Sequence, residues 1–229
     1  MLLRFLRFLL FGLLMVPVAS SGQSKNIPED VEHARQHGLT EIQVPAPKVA
    51  LTLPTNIDRA LKQDSVVIAS LEKQVSTFYD EDKTAIVTWF KFRLMEQLSG
   101  RQPLTAAAFP KGAPEAVLTN ANGNSFVIRV FGGTLYLNGV KVDSQGAYPH
   151  LTTGTKYLLF VFVDQDESGQ TVLGLNYGAE GIIKINDDGL VTPLGSHGSA
   201  ISRFLTTHAI RDVSALRKAL LARLPQALR

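Results

Sequence analysis

The sequence predicts a mainly β protein, a small antiparallel barrel or sandwich with few helices. About seven short segments rich in β-branched and aromatic residues alternate with polar turns. One turn, Asn138-Gly139, lies between alternating apolar residues, which is the signature of a two-residue hairpin. The 229-residue chain contains no cysteine, so burial alone must stabilise the fold, and thiolate and Cys-type zinc chemistry are excluded.

Residues 1–22 are predicted to be a signal peptide. The basic start "MLLRFLR" precedes the apolar run "FLLFGLLMVPV" and the small residues "ASSGQS", so cleavage is expected near residues 20–22. The alternative is an uncleaved membrane anchor, but the run falls short of the roughly 20 apolar residues that a span needs. We therefore expect a secreted or periplasmic protein, and no later segment is long and apolar enough to span a membrane.

Residues 23–54 are predicted to form a helix and a proline-rich extended linker. The helix "PEDVEHARQHG" has acids in its first turn and a glycine, Gly38, placed to end it. The three prolines of "VPAPKVALTLPT" favour an extended connection.

Residues 55–196 are predicted to form the β-barrel domain, after a short helix "NIDRALKQ" capped by Thr55 or Asn56. Residues 156–163, "KYLLFVFV", are apolar on both faces, so this strand is expected at the centre of the sheet. Residues 99–124 are expected to be a long loop, and Asp188-Gly189 a turn. The strands are predicted at 65–75, 84–98, 125–131, on both sides of Asn138-Gly139, and at 156–163, 171–177 and 182–186.

Residues 197–229 are predicted to be a basic helical segment, with six basic residues and one acid, Asp212. Asp212 can cap a helix whose apolar stripe is expected to dock on the barrel, while weak contact with anionic lipid or a polyanion is the alternative. The stripe consists of Val213, Leu216, Leu220 and Leu224. The charge of the remaining body does not favour nucleic-acid binding, so no nucleic acid is expected as a partner.

The acidic stretch "DQDESG", residues 164–169, partly matches a calcium-binding loop. Asp164, Asp166 and Ser168 occupy the positions of the first three ligands, but the twelfth position is Leu175, which cannot chelate, and the flanks are strands. We predict a hairpin tip and no cofactor, with weak calcium binding at these three residues as the alternative.

Trp89, Lys91 and Arg93 are predicted to share the outward face of one strand. An aromatic and basic stripe can bind sugars, anions or single strands, so these residues are the candidate ligand-binding site. The alternative is an exposed face without function, or a face that the C-terminal helix covers.

Histidine and serine clusters give little support to catalysis. His33 and His37 share one helix face, but Ala34 stands where a zinc-protease helix has its glutamate. The stretch "GSHGS", residues 195–199, is expected to be a structural loop, so no catalytic residue is predicted.

The order "LKQDSVVIASLEK…TWFKFRLMEQLSG…GGTLYLNGVKV…GTKYLLFVFV…YGAEGIIKINDDGLVTPL" resembles a set of uncharacterised exported bacterial proteins. Their strand pattern is similar to netrin-like OB barrels, which include the tissue inhibitors of metalloproteases. The resemblance covers about residues 55–195 and implies a five-stranded Greek-key barrel with a terminal helix. Those inhibitors act through an N-terminal cysteine, which this chain lacks, so no inhibitory residue is carried over.

We therefore predict an exported, non-catalytic binding or interaction module whose partner is a protein or a polyanionic ligand. The first alternative is an exported hydrolase or metal-dependent enzyme that would use His150, His197, Asp164 and Asp166. The second is an inhibitor-like partner of an exported protease.

Overall fold

The computed structural model describes residues 26–47, 53, 55–63, 65–100, 104, 112–118, 124–146, 149–165, 171–175 and 177–224. The described helices α1 to α5 span Ile27–Gln36, Ile57–Gln63, Glu115–Leu118, Ala200–Thr207 and Val213–Arg223. The described strands β1 to β10 span Glu41–Pro45, Ser65–Phe78, Ile86–Ser99, Ser125–Phe131, Gly133–Leu137, Val140–Gln145, Lys156–Gln165, Thr171–Leu175, Ile182–Ile185 and Val191–Pro193. The protein is mainly β, as predicted. The predicted signal peptide lies outside the described residues, and none of the helices within them has the length and apolarity of a membrane span.

The larger sheet is antiparallel and curled. Its strands follow the order β10-β9-β7-β2-β3-β4, and β8 pairs with the second half of β7. β4 and β8 lie side by side, but no ladder of the described residues joins them. The larger sheet therefore does not form a closed barrel within the described residues. One edge of β7 is divided between β8 and β9, so the sheet continues through β9 and β10 instead of closing on β4.

The smaller sheet has three strands in the order β1-β6-β5. β5 and β6 form the predicted hairpin, whose turn residues Asn138 and Gly139 have φ angles of +50° and +82°. β1 pairs with β6 in parallel, with Glu41 opposite Lys141, so part of the segment that was expected to be an extended linker is a strand of this sheet. Two parallel strands need a long connection between them, and the chain between Pro45 and Val140 provides it.

The predicted N-terminal helix is confirmed as α1. The Asn26 side chain accepts a hydrogen bond from the Glu29 backbone N–H at 3.0 Å, and Gly38 follows the helix with a φ angle of +71°. The apolar side of α1 packs on the smaller sheet and on the start of β3. We call this cluster the N-terminal core; its buried members are Ile27, Val31, Ala34, Val44, Ile86, Val140 and Val142.

Strict alternation along β2 and β7 builds two further cores. One face of both strands packs against α2, α4 and α5 in a helix-side core, to which Ile68 and Phe160 belong. The opposite face fills the curled sheet, and we call this cluster the inner core; its members include Val67, Leu71, Phe90, Phe92, Phe126, Tyr157, Leu159 and Leu173. The prediction that residues 156–163 form a central strand is confirmed, and residues 157–161 are buried on both faces, but Val163 is exposed.

The predicted C-terminal helix docks on the sheet as α5. Asp212 caps it by accepting a hydrogen bond from the Ala215 N–H at 2.9 Å. Leu216 and Leu220 are buried in the helix-side core, while Lys218 is exposed on the opposite side. The apolar stripe is therefore occupied within the protein and is not available to a lipid surface.

Candidate functional site

An open groove lies at the seam between the inner core and the N-terminal core. Its volume is about 460 Å³, which falls within the range of roughly 300–1,000 Å³ for small-molecule sites. One face of β3 shows how the seam arises, because it carries Phe90 in the inner core, then Thr88, then Ile86 in the N-terminal core. A polar position thus separates two apolar regions, and the opening over it is the seam groove.

The floor of the seam groove is a pair of hydroxyl groups on neighbouring strands. Thr88 Oγ1 donates to the Gly132 carbonyl oxygen at 2.8 Å, and Ser76 Oγ lies 2.9 Å from Thr88 Oγ1. A hydroxyl group has a single hydrogen, so Ser76 must be the donor to Thr88. The two side chains are therefore fixed in place before any ligand arrives.

Glycines allow one wall to approach this floor. Gly133 has a φ angle of +136°, and a Cβ atom there would collide with Thr88 Oγ1 and lie 2.6 Å from Ser76 Oγ. A Cβ atom at Gly132 would lie 2.7 Å from Gly146 Cα. The chain between β4 and β5 can cross the end of β6 only because these residues have no side chains.

Asp143 supplies a carboxylate to the same wall. Thr134 Oγ1 donates to Asp143 Oδ1 at 2.8 Å and so orients the carboxyl group. The neighbouring cation on this face, Lys141, is bound to Glu41 at 2.8 Å. Among the described residues no cation forms an ion pair with Asp143, which is half-buried.

The rest of the seam groove combines an apolar side with a polar rim. Val130 and Leu151 are buried inner-core residues that line it, whereas Gln74 and His150 are exposed at its edge. Ser144 is buried in the lining, and its hydroxyl has no hydrogen-bond partner within the part of the chain that the structure describes.

The predicted site of Trp89, Lys91 and Arg93 does occupy one face of β3, but its assumed exposure is wrong for two of the three residues. Trp89 and Lys91 are only 3% and 4% exposed, whereas Arg93 is exposed. Trp89 packs on Val117 of α3 and donates to Thr77 Oγ1 at 2.9 Å. The 112–118 segment, rather than the C-terminal helix, is therefore what covers Trp89.

Lys91 is held by a carboxylate on β2. Its Nζ atom lies 3.7 Å from Glu72 Oε2, and the Arg93 Nε atom lies 3.9 Å from Glu72 Oε1. Ser125 Oγ donates to the same Glu72 carboxylate at 3.3 Å. Ligand binding by this face stays a prediction, and within it only Arg93 is accessible to a ligand.

The acidic stretch connects two paired strands. Gln165 of β7 lies opposite Thr171 of β8, so the strands before and after the stretch pair in antiparallel fashion. Asp164 and Gln165 belong to β7, and the rest of the predicted hairpin tip lies outside the described residues. The candidate calcium ligands Asp166 and Ser168 lie outside the described residues, and only the backbone of Asp164 is described.

Hydrogen bonds from Ser196 attach the "GSHGS" loop to the side chain of Glu180. Glu180 Oε1 accepts hydrogen bonds from the Ser196 backbone N–H at 2.9 Å and from Ser196 Oγ at 2.8 Å. Burial opposes ionisation, but the nearby Ser199 hydroxyl and the two bonds from Ser196 outweigh it and hold the pKa of Glu180 below the value usual for glutamate. Ser199 also caps α4 by accepting from the Ser202 N–H, and His197 is exposed.

The histidines of the sequence stay apart from one another, except for one pair whose rings are in contact at a tilt. The His33 and His37 rings share one face of α1 with centroids 4.3 Å apart, as the spacing predicted. His150 lines the seam groove, whereas His197 does not. Within the described residues, no three His, Asp or Glu side chains are grouped so that they could hold a metal ion.

The fold and the site define a mainly β protein with a polar groove between two of its cores. Comparison with models of protein families, with curated proteins and with solved structures finds no match.

Proposed function

We propose that this chain is an exported, non-catalytic binding module whose ligand occupies the seam groove. The observation that carries the proposal is the groove itself, which combines a volume of about 460 Å³ with polar groups fixed by hydrogen bonds to one another. Preformed concave sites with an apolar side and a few oriented polar groups are typical of ligand binding.

The polar groups of the groove favour binding over acid–base catalysis. The Asp143 oxygen that is engaged accepts from Thr134, and the Thr88 hydroxyl donates to a backbone carbonyl. A general base and a nucleophile would instead hydrogen-bond to each other. The hydrolase alternative stays open through His150, which lines the same groove as Asp143.

The proposal extends to the architecture and the location. Strands β2, β3 and β4 are neighbours, and β7 returns to lie beside β2, which is the strand order of a Greek key. With β8 between β7 and β4, five strands would follow the order of an OB barrel, a fold that is partly open. Export is supported by the basic and apolar pattern of residues 1–22.

Amide NMR spectra of the protein purified after export test the proposal. Gly132, Gly133 and Gly146 line the groove, while Gly139 and Gly154 lie elsewhere and act as internal controls. Amines, saccharides, short peptides and small anions are added one class at a time. We expect at least one class to shift the three groove amides and leave the controls unchanged.

Two outcomes would contradict the proposal. If no class shifts the groove amides, the groove is not a binding site. If a compound is consumed at a rate that His150→Ala abolishes, the protein is an enzyme. Mass spectrometry of the exported protein checks the location, and an N-terminus within residues 21–23 is expected.

A further inference from the structure

We propose that the ligand of the seam groove is an amphiphilic cation, an ammonium or guanidinium group carried on an apolar body. This inference rests on the proposed function, because it specifies the chemistry of the ligand that would bind in the same groove.

The first argument is the number of hydroxyl hydrogens left in the groove. Thr88 donates its hydrogen to Gly132, Ser76 donates to Thr88, and Thr134 donates to Asp143. Each hydroxyl keeps unused lone pairs, and the second oxygen of the Asp143 carboxylate accepts no bond from a described residue. The floor and the Thr134–Asp143 pair therefore offer acceptors. The buried Ser144 hydroxyl is the one hydroxyl of the described lining that still has a hydrogen to donate, so a complementary ligand must supply most of the donors.

The second argument is charge. Asp143 has no ion-pair partner within ion-pair distance among the described residues. The adjacent Lys141 is bound to Glu41 and attracts Asp143 only from a greater distance. A half-buried carboxylate that already accepts from one hydroxyl is stabilised further by a cation that donates to its free oxygen. Ammonium and guanidinium groups meet both requirements, since they are charged and carry only donors.

The third argument is the apolar side of the groove. Phe90, Val130 and Leu151 line it and belong to the inner core. An apolar body placed against these side chains leaves the water, which stabilises the complex in proportion to the buried area. The charged group and the apolar group of the ligand then face opposite sides of one opening.

Other ligand classes fit less well. A saccharide hydroxyl both donates and accepts, but the floor hydroxyls have no hydrogen left to offer it. An anion would face Asp143, and the lining side chains offer it few donors: the Ser144 hydroxyl, which is buried, and the Gln74 amide and the His150 ring, which lie at the exposed rim. The polyanionic ligand that the sequence suggested is therefore not expected in this groove.

Three probes with the same apolar body test the inference. They are 2-phenylethylammonium, 2-phenylethanol and phenylacetate, each titrated while the Gly132, Gly133 and Gly146 amides are followed by NMR. A hydrogen bond to a charged group contributes more than one between neutral groups, so we expect the ammonium compound to bind about tenfold more tightly than the alcohol. Phenylacetate is expected to bind more weakly than the alcohol.

A pair of variants assigns the preference to one carboxylate. Asp143→Asn keeps an oxygen that can accept from Thr134, so the fold is expected to persist, and its melting temperature checks this. Asp187→Asn makes the same change of charge at an exposed turn away from the groove. We expect Asp143→Asn to lose about tenfold in affinity for the ammonium compound with little change for the alcohol, and Asp187→Asn to bind like the wild type.

The following results would overturn the inference. Equal binding of the ammonium compound and the alcohol would remove the role of charge, and so would wild-type affinity in the folded Asp143→Asn variant. If a saccharide or phenylacetate shifts the groove amides and the ammonium compound does not, this inference fails while the proposed function stands. If none of the probes or ligand classes shifts them, both fail.

Discussion

Replacing Gly133 by alanine is predicted to be one of the most destabilising single-methyl changes in the protein. The residue has a φ angle of +136°, a conformation that side-chain-bearing residues rarely adopt. The added Cβ atom would also collide with Thr88 Oγ1 and come within 2.6 Å of Ser76 Oγ. Both contacts lie in the floor of the seam groove, where the hydroxyls are fixed by their own hydrogen bonds.

The expected magnitude follows from two separate costs. The unfavourable backbone conformation costs about 1–3 kcal/mol, and forcing an additional methyl group into a packed site costs about 1–3 kcal/mol. Together they predict a loss of about 4 kcal/mol in the free energy of unfolding. Gly154 is the matched control, because its φ angle is +84° but no atom lies within 4 Å of an added Cβ. Gly154→Ala should therefore lose only about 1–2 kcal/mol.

Urea unfolding followed by fluorescence measures both variants, because Trp89 is the only tryptophan in the chain. A second measurement isolates the collision. In a background of Ser76→Ala and Thr88→Ala the obstructing oxygens are gone, so Gly133→Ala should lose about 2 kcal/mol less than in the wild-type background. A Gly133→Ala variant that is no less stable than Gly154→Ala would refute the reasoning, and so would an unchanged cost in that background.

Three further predictions concern other parts of the fold. Trp89 emission should be blue-shifted and weakly quenched by acrylamide in the folded protein, and an emission spectrum like that of free tryptophan would contradict its burial. Glu180→Gln should lose about 1 kcal/mol at pH 7 in urea unfolding. The folded-state pKa of Glu180 is lowered, so its contribution is present above the usual glutamate pKa and is lost as the pH falls through the folded-state value. The difference between wild type and variant should therefore shrink in acid, and a difference independent of pH would count against the carboxylate. Asp212→Ala should lose about 1 kcal/mol and Asp212→Asn much less, and equal losses would show that the α5 cap is not the cause.

Much of the secondary structure could be predicted because its signals are local. The hairpin at Asn138-Gly139 depends on two residues that tolerate positive φ angles, and α5 depends on Asp212 and a helical apolar stripe. The order of the strands within the two sheets could not be predicted, because it depends on which strand edges pair across long stretches of sequence. β9 and β8 share one edge of β7, and β1 reaches β6 from a distant part of the chain.

The candidate site was harder to predict than the fold. The alternation on β3 correctly assigns Trp89 and Lys91 to the face opposite Phe90, but alternation does not say whether a face is covered. Val117 covers Trp89, and it comes from a stretch that the sequence indicated only as a long loop. The sequence did hold one signal for the groove, since Thr88 interrupts an otherwise apolar run on the inner face of β3.

The location of the seam groove is supported by more than its volume. A sequence normally follows its local rules, and departures from them concentrate where function requires a different arrangement. Here three departures meet: Thr88 on an apolar face, Gly133 in a conformation that opposes side chains, and Ser144 buried with its hydroxyl unsatisfied among the described residues. Continuous apolar packing across this seam would avoid the cost of burying polar groups and would join the two cores. The chain instead keeps the cores apart along a polar floor, and that is the physical reason to look for the ligand there.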